Sequence, residues 1–465
     1  MKEIKSNSQK KLKLILLEFS FFLFIFATIL PSNLLLNQIL KQSCIQSGYK
    51  KLICDEISQS NNNKTEKIEE ELQPYVAKIN VIITFLYTSV PAILQLFLGP
   101  WSDKYGRKSV MNLASIGYVL THTLAAAICY YSDNIHPLPP WIFIFCYIPV
   151  NFLGGFQSML TAIVCYIKDT CEESKCFYHF TIIEILILFG YFCGILLCSI
   201  LVELTNAVNI FIIAAICTFI GAIIVIFFID ESLKEIEKSY NLNSILSCSH
   251  IFDMIKTCLI PRALHQRSIL LSLIFIISLN KFVTDDERNL CYLFERVVYN
   301  WTLNDHNFFE ATKMLMTVAG TTFAMTVLKN FLKISDLILI AFAIFSNLID
   351  NILRAFAKQS WQVYVISIFS STRMIVHPLC RSLISSIVLQ NEMGKVMSFA
   401  STIESIVNFI LMPIYLSVYE ATFLTFPGAF YFVSAGIGII TLLIVFYVIF
   451  VNGFVVNIKK KYVEI

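Results

Sequence analysis

The sequence predicts an all-α membrane protein of twelve transmembrane helices in two six-helix lobes. Three observations predict it. Hydrophobic residues make up 57% of the 465 residues and charged residues only 14%, against roughly 25% charged in an average soluble chain. Much of the surface must therefore face a medium other than water. The apolar residues come in long continuous runs rather than in alternation, which excludes a spanning β-barrel. A polar break near the middle leaves six runs on each side.

A helix needs ~20 mostly apolar residues to cross the hydrocarbon core. Such runs cover 14–36, 76–98, 110–131, 140–167, 178–203, 207–229, 268–284, 309–328, 334–352, 361–380, 396–419 and 427–451. The first is too long for a signal peptide and lacks a small-residue cleavage site, so it reads as a spanning helix. The resulting order is a tail (1–13), a first lobe (14–229), a central loop (230–267), a second lobe (268–452) and a second tail (453–465). Long loops at 37–75 and 285–308 follow the first helix of each lobe, a trace of an internal repeat. Transporters built from such repeats hold their solute near mid-depth.

Lysine and arginine in short loops set the orientation. The first tail carries Lys2, Lys5, Lys10, Lys11 and Lys13, the second-to-third connection Lys104, Arg107 and Lys108, and the last tail Lys459, Lys460 and Lys461. Both termini are thus expected in the cytosol. The two Asn-x-Ser/Thr triplets, at Asn63 and Asn300, then fall outside, where glycosylation occurs. Cys44, Cys54 and Cys291 share those outside loops, where oxidation is permitted. Three thiols leave one over and the pairing open.

No Gly-x4-Gly-Lys-Ser/Thr nucleotide loop is present, and no nucleophile–base arrangement stands in the loops, so neither ATP drive nor an enzyme is expected. Cys171, Cys176 and His179 have no fourth ligand in their loop, and no metal or cofactor is expected. A net charge of +3 gives no reason to expect a nucleic-acid partner.

The stretch "GPWSDKYGRKSV", residues 99–110, sets charges and glycines between two greasy runs. Gly99 and Gly106 suit a tight turn at the membrane face. Asp103 can sit at the positive end of a neighbouring helix, and Arg107 can pair with a carboxylate across the seam between lobes. Gly99, Asp103, Gly106, Arg107 and Lys108 resemble the signature of the major facilitator superfamily, in which such a latch holds the cytosolic side shut. "GPWSD" with "LASIGYVL" resembles, more narrowly, the solute carrier group of the proton-coupled folate transporter. "PLCRSLISSIV", "EMGKVMSFAS", "YEATF" and "FPGAFYFVSAG" follow that group's order through the last three helices. The resemblance is faint between 268 and 360. It implies a secondary transporter, with Asp169 a further part of the cytosolic latch.

Ionisable side chains inside a membrane are costly and mark functional sites or anchors. Glu184, in the fifth run, matches a glutamate that the folate transporter uses in proton coupling. Its alternative is a carboxylate snorkelling to the nearby surface. Arg373, His377 and Arg381 recur every four residues in the tenth run, which on a regular helix places them on one face. That face suits an anionic solute, because arginine binds carboxylates bidentately. Glu404, in the eleventh run, can pair with Arg373 or Arg381 or serve as a second proton site. His122 reads as a packed histidine, and Gly190 with Gly194 as a close helix approach. The folate transporter's seventh-helix histidine has no counterpart around Leu279 and Asn280.

The expectation is secondary active, proton-coupled symport of a small organic anion by alternating access, in the plasma or an endolysosomal membrane. Its partners are the solute, the proton and membrane lipid. A pH-independent uniporter and a non-transporting receptor or scaffold with the same fold are the alternatives.

Overall fold

A computed structural model of the chain describes residues 2–57, 63–233, 248–262, 265–285, 303–422 and 425–463, with 291, 294–295, 298–299 and 301. Every regular element among them is helical. Eleven helices are long and apolar enough to cross a membrane, and a bent pair brings the number to twelve. The spanning helices are labelled α1 (Lys2–Ile29), α2 (Asn63–Tyr105), α3 (Arg107–Asn134), α4 (Gly155–Thr170), α5 (Glu173–Leu204), α6 (Ala207–Ile223), α7 (Gln266–Asp285), α8 (Leu303–Phe323), α9 (Asp336–Phe356), α10 (Val376–Ile387), α11 (Met393–Thr422) and α12 (Ala429–Val463). The chain is a multi-pass membrane protein.

Several spans are not single straight helices. The first continues past Pro31 as Ser32–Gln46, the break falling where proline cannot donate a backbone hydrogen bond. The fourth begins with the tight winding of Pro140–Tyr147. The tenth is the bent pair: Ser360–Ile366 meets Phe369–Ile387 at 45°, and Phe369–Ile375 is wound as a 3₁₀ helix. Outward side chains are apolar, with Phe331 and Phe409 exposed by 80% and 76%. They suit hydrocarbon, not water.

The residues group into two compact units, Met1–Tyr166 with Gly190–Ile245, and Ile167–Phe189 with Leu246–Ile465. In the first, α6 packs on α1 and on α3, around Ala27, Leu30, Ile79, Phe143 and Phe211. Gly190 and Gly194 of α5 face α1. A Cβ on them would lie 3.1 Å from Ile25 Cβ and 3.0 Å from Ile29 Cβ respectively, so the missing side chains are what allow the close approach.

In the second unit α7 packs on α11 and α12, and α9 on α12. Phe282, Phe294, Tyr415, Phe430 and Tyr431 form its aromatic core. Gly320 of α8 lies against the 3₁₀ segment, where an added Cβ would stand 2.5 Å from the Ser371 carbonyl oxygen. Backbone cannot retreat as a side-chain tip can. Gly320→Ala is therefore expected to cost about 1–3 kcal/mol, as overpacking does, and to lower the melting temperature in detergent. Gly436→Ala, with nothing within 4 Å of its Cβ, serves as the neutral control.

Cys44 and Cys54 are joined by a disulfide that fastens Lys51–Ile57 to the end of Ser32–Gln46. The third outside-loop thiol, Cys291, is not part of it; its Sγ lies 3.4 Å from Tyr431 Oη in the second unit's core. Asn63 begins α2, and Asn300 lies outside the described residues.

Candidate functional site

The 99–108 motif lies wholly in the first unit. Gly99 does not form a turn: α2 runs through it to Tyr105. The turn rests on Gly106 alone, whose φ of +105° is a conformation only glycine adopts freely. A Cβ there would also collide with the Glu231 carboxylate. That carboxylate accepts the Arg107 backbone N–H at 2.8 Å and the Lys108 N–H at 3.0 Å, so it caps the positive N-terminus of α3. Glu231, not Asp103, takes these two amides. Asp103 instead pairs with the Arg107 guanidinium at 2.5 Å, which also donates to Ser102 Oγ at 2.8 Å. One carboxylate that holds Arg107 thus comes from its own motif and unit. Glu231→Ala is expected to speed hydrogen exchange at the Arg107 and Lys108 amides about tenfold, the loss of about 1.4 kcal/mol of charge-assisted bonding.

Asp169, at the end of α4, belongs to the second unit. Its carbonyl accepts a 3.4 Å bond from Gln390 Nε2, and the neighbouring Lys168 donates to the Ser385 carbonyl.

The second unit also holds Glu184, Arg373, His377, Arg381 and Glu404. Glu184 pairs with Arg381, and both side chains are buried. Glu184 therefore does not snorkel. Its carboxylate is spent on an arginine of the tenth span. Arg373 is 3% exposed, and among the described residues its Nε and Nη1 have no hydrogen-bond partner. His377 is likewise buried, within electrostatic reach of Arg381 and Lys281. The equal spacing of Arg373, His377 and Arg381 does not make one regular face, because the winding changes between Ile375 and Val376. Only His377 and Arg381 lie on the α-helical part. What unites the three is burial.

Glu404 pairs with Lys281 of α7 at 2.7 Å, rather than with Arg373 or Arg381. Lys281 was not singled out by sequence, although it is the only charged residue between Ser268 and Thr284, which is the signal that marks it. Further along, Arg354 and Asp350 form a 2.7 Å pair with both side chains 0% exposed, and Arg354 also donates to Ser367 Oγ. This pair sits inside α9 and reads as internal bracing. Among these residues three cations, Arg373, Arg381 and Lys281, stand beside two carboxylates, Glu184 and Glu404; α8 adds the buried Lys313–Glu310 pair at 3.3 Å, and the buried Glu295 lies 2.6 Å from His306.

Outside the spans, burial pushes the Cys258 thiol up to about 12, so it stays protonated and inert. His122 Nδ1 lies 2.8 Å from the Tyr118 carbonyl, a packed histidine on α3.

The family model of the Major Facilitator Superfamily matches residues 19–412. The chain is 28% identical over 453 residues to a probable peptidoglycan muropeptide transporter, SLC46, of Drosophila melanogaster, covering 94% of this chain and 86% of that one. It is 23% identical over 451 residues to the Homo sapiens lysosomal proton-coupled steroid conjugate and bile acid symporter SLC46A3, covering 92% of each. Among solved structures, the human organic anion transporter MFSD10 (TETRAN) superposes with a TM-score of 0.70 at 12% identity, over 94% of this chain and 99% of that one. The proton:xylose symporter XylE gives 0.68 at 13% identity, over 95% and 96%. These relatives agree with the solute carrier resemblance of the 99–120 and 378–436 patches. The chain belongs to the Major Facilitator Superfamily and is a membrane transporter of the SLC46 type, related to proton-coupled symporters.

Proposed function

We propose that this transporter is a secondary active symporter that moves a small organic anion together with protons by alternating access. The observation that carries the reading is Arg373, a guanidinium buried to 3% exposure with Nε and Nη1 unpartnered. An isolated buried cation is unfavourable unless something neutralises it. An anionic solute supplies that charge and, if it is a carboxylate, the two acceptors a guanidinium fork needs.

Arg381 is the second anion contact, held in reserve by Glu184. When Glu184 takes a proton its charge vanishes, the attraction to Arg381 falls, and the guanidinium becomes available to the solute. Loss of the proton restores the Glu184–Arg381 pair and displaces the anion. His377, one turn from Arg381, offers a further donor. Glu404 with Lys281 is a second pair of the same kind, and makes Glu404 the second proton site. The bile acid symporters among the relatives are named for an acidic solute and a proton, which agrees with this charge balance. Their lysosomal location supports an endolysosomal membrane here. Both termini and the 99–108 motif then lie on the cytosolic side, as the lysine and arginine distribution requires, with Gly99, Asp103, Gly106, Arg107, Lys108 and Asp169 acting as the latch. Lobes at 14–229 and 268–452 are the moving parts, and Asn63 and Asn300 are the glycosylation sites.

Purified protein in liposomes, given an inward proton gradient and a panel of radiolabelled organic anions that includes a bile acid, tests this directly. Accumulation of an anion that collapses with the gradient supports the symport reading. Anion entry that ignores the gradient points to a uniporter, and entry of none of them removes the reading.

A further inference from the structure

The first unit encloses a cavity of about 280 Å³ that none of the charges above line. Its walls come from the first span, α2, α3, the start of the fourth span, α5 and α6. Four tyrosines, Tyr87, Tyr118, Tyr147 and Tyr191, face it. Tyr87 and Tyr147 meet edge to face at 6.1 Å, and Tyr118 stacks on Phe24 at 5.3 Å. The four phenols are close enough to act on one another electrostatically.

Of the other polar groups of the wall, Thr28, Ser32, Thr121 and His122 are occupied, and the Asn80 amide also lines it. Thr28 and Ser32 donate their hydroxyls to the Phe24 and Ile29 carbonyls at 2.8 Å each. Thr121 Oγ1 accepts the Val150 N–H at 3.0 Å, and His122 is tied to the Tyr118 carbonyl. Among the described residues, no protein group hydrogen-bonds the hydroxyl of Tyr87, Tyr118 or Tyr147. Nor are these hydroxyls sealed away from the cavity as unsatisfied atoms. Three phenols and the Asn80 amide therefore line a space walled in part by aromatic rings.

No Lys, Arg, Asp or Glu lines it. A charged guest would surrender its hydration with no counter-charge in return. An uncharged guest with oxygen acceptors on its rim and a flat hydrophobic face would meet both the phenols and the rings. A cavity of about 150 Å³ already admits benzene, so this one has room for a single substituted ring.

We propose that this cavity is a binding site for an uncharged, oxygen-substituted six-membered ring, either as a solute or as the neutral part of a larger one. The inference rests on the first unit alone and does not depend on the anion reading.

The test is saturation-transfer titration of the purified full chain with three pyranoses that share a ring and differ in charge: N-acetylglucosamine, glucosamine and glucuronate. N-acetylglucosamine is expected to bind at least about tenfold more tightly than either charged sugar. In a Tyr87→Phe/Tyr147→Phe double variant, which keeps both rings and loses two hydroxyls, its affinity is expected to fall about tenfold. Arg373→Ala, which probes the anion reading, is expected to leave this binding unchanged. No binding of N-acetylglucosamine, equal binding of all three sugars, or equal affinity in the double variant would each overturn the proposal. The preference among the sugars in the unaltered protein decides the matter even if the double variant fails to fold.

Discussion

Replacing Arg373 with Ala is expected to cut organic anion uptake about a hundredfold while leaving the protein as stable as before, or more so. The two halves of that expectation come from one observation. Nε and Nη1 of Arg373 bond to nothing among the described residues, so truncation removes a desolvated charge rather than a structural contact, and stability need not suffer. The same truncation deprives a bound anion of its charge-assisted partner, which costs about 3 kcal/mol, roughly a hundredfold in affinity. Arg373→Lys keeps the charge but loses the planar fork, and should fall between, about tenfold down. Uptake, surface amount and melting temperature are the three readouts. A large drop in melting temperature would mean that Arg373 is a structural residue. Full uptake in the Ala variant would mean that it holds no solute.

The second large effect is expected at Glu184. Glu184→Gln has nearly the shape of the carboxylic acid form but cannot ionise. The variant is locked in the state that the proposal assigns to protonated protein, with Arg381 released. Unaltered protein should take up anion faster as the proton-rich side is acidified, by up to about tenfold per pH unit where one proton is required. The Gln variant should show a flat profile over the same range. Because Arg381 loses its buried partner, a cost of about 3–5 kcal/mol of stability accompanies the change when no anion is present. Added anion should recover part of it, and a neutral analogue of the same size should not. A Gln variant that keeps the original pH profile would place the proton elsewhere, with Glu404 beside Lys281 the next carboxylate to replace.

The helices were legible because the rule that makes them is local: about twenty apolar residues are needed, and each run supplies them. The span at Pro140–Thr170 and the one at Ala207–Phe228 agree with the runs read at 140–167 and 207–229 to within a few residues. What the runs did not show was winding. Nothing in "YVISIFSSTRMIVHP" announces a 45° bend or a 3₁₀ segment, or that the segment lies against Gly320 of α8, a contact between residues far apart in sequence. The regular spacing of Arg373, His377 and Arg381 was therefore only partly a guide.

The buried charges were visible as residue types but not as pairs. Glu184 and Arg381 are 197 positions apart, and pairing over that separation is a product of tertiary structure. Lys281 was passed over because it stands near the end of its run, where a lysine reads as an interfacial anchor. Glu231 was absorbed into a polar loop, although it caps α3. Gly99 looked like a turn residue because it stands in a charged stretch, yet α2 does not end until Tyr105. In each case the sequence shows the chemistry available, and the fold decides which partner receives it.

The central claim is that one proton and one anion bind and leave together at the Arg381–Glu184 pair, the proton on Glu184 and the anion on Arg381. Proteoliposomes loaded with a pH-sensitive dye and given external anion, with no gradient imposed, test it most directly. Anion entry should acidify the interior in step with uptake, and Glu184→Gln should abolish the acidification while some anion still enters. Anion entry through the unaltered protein with no change in internal pH would contradict the account.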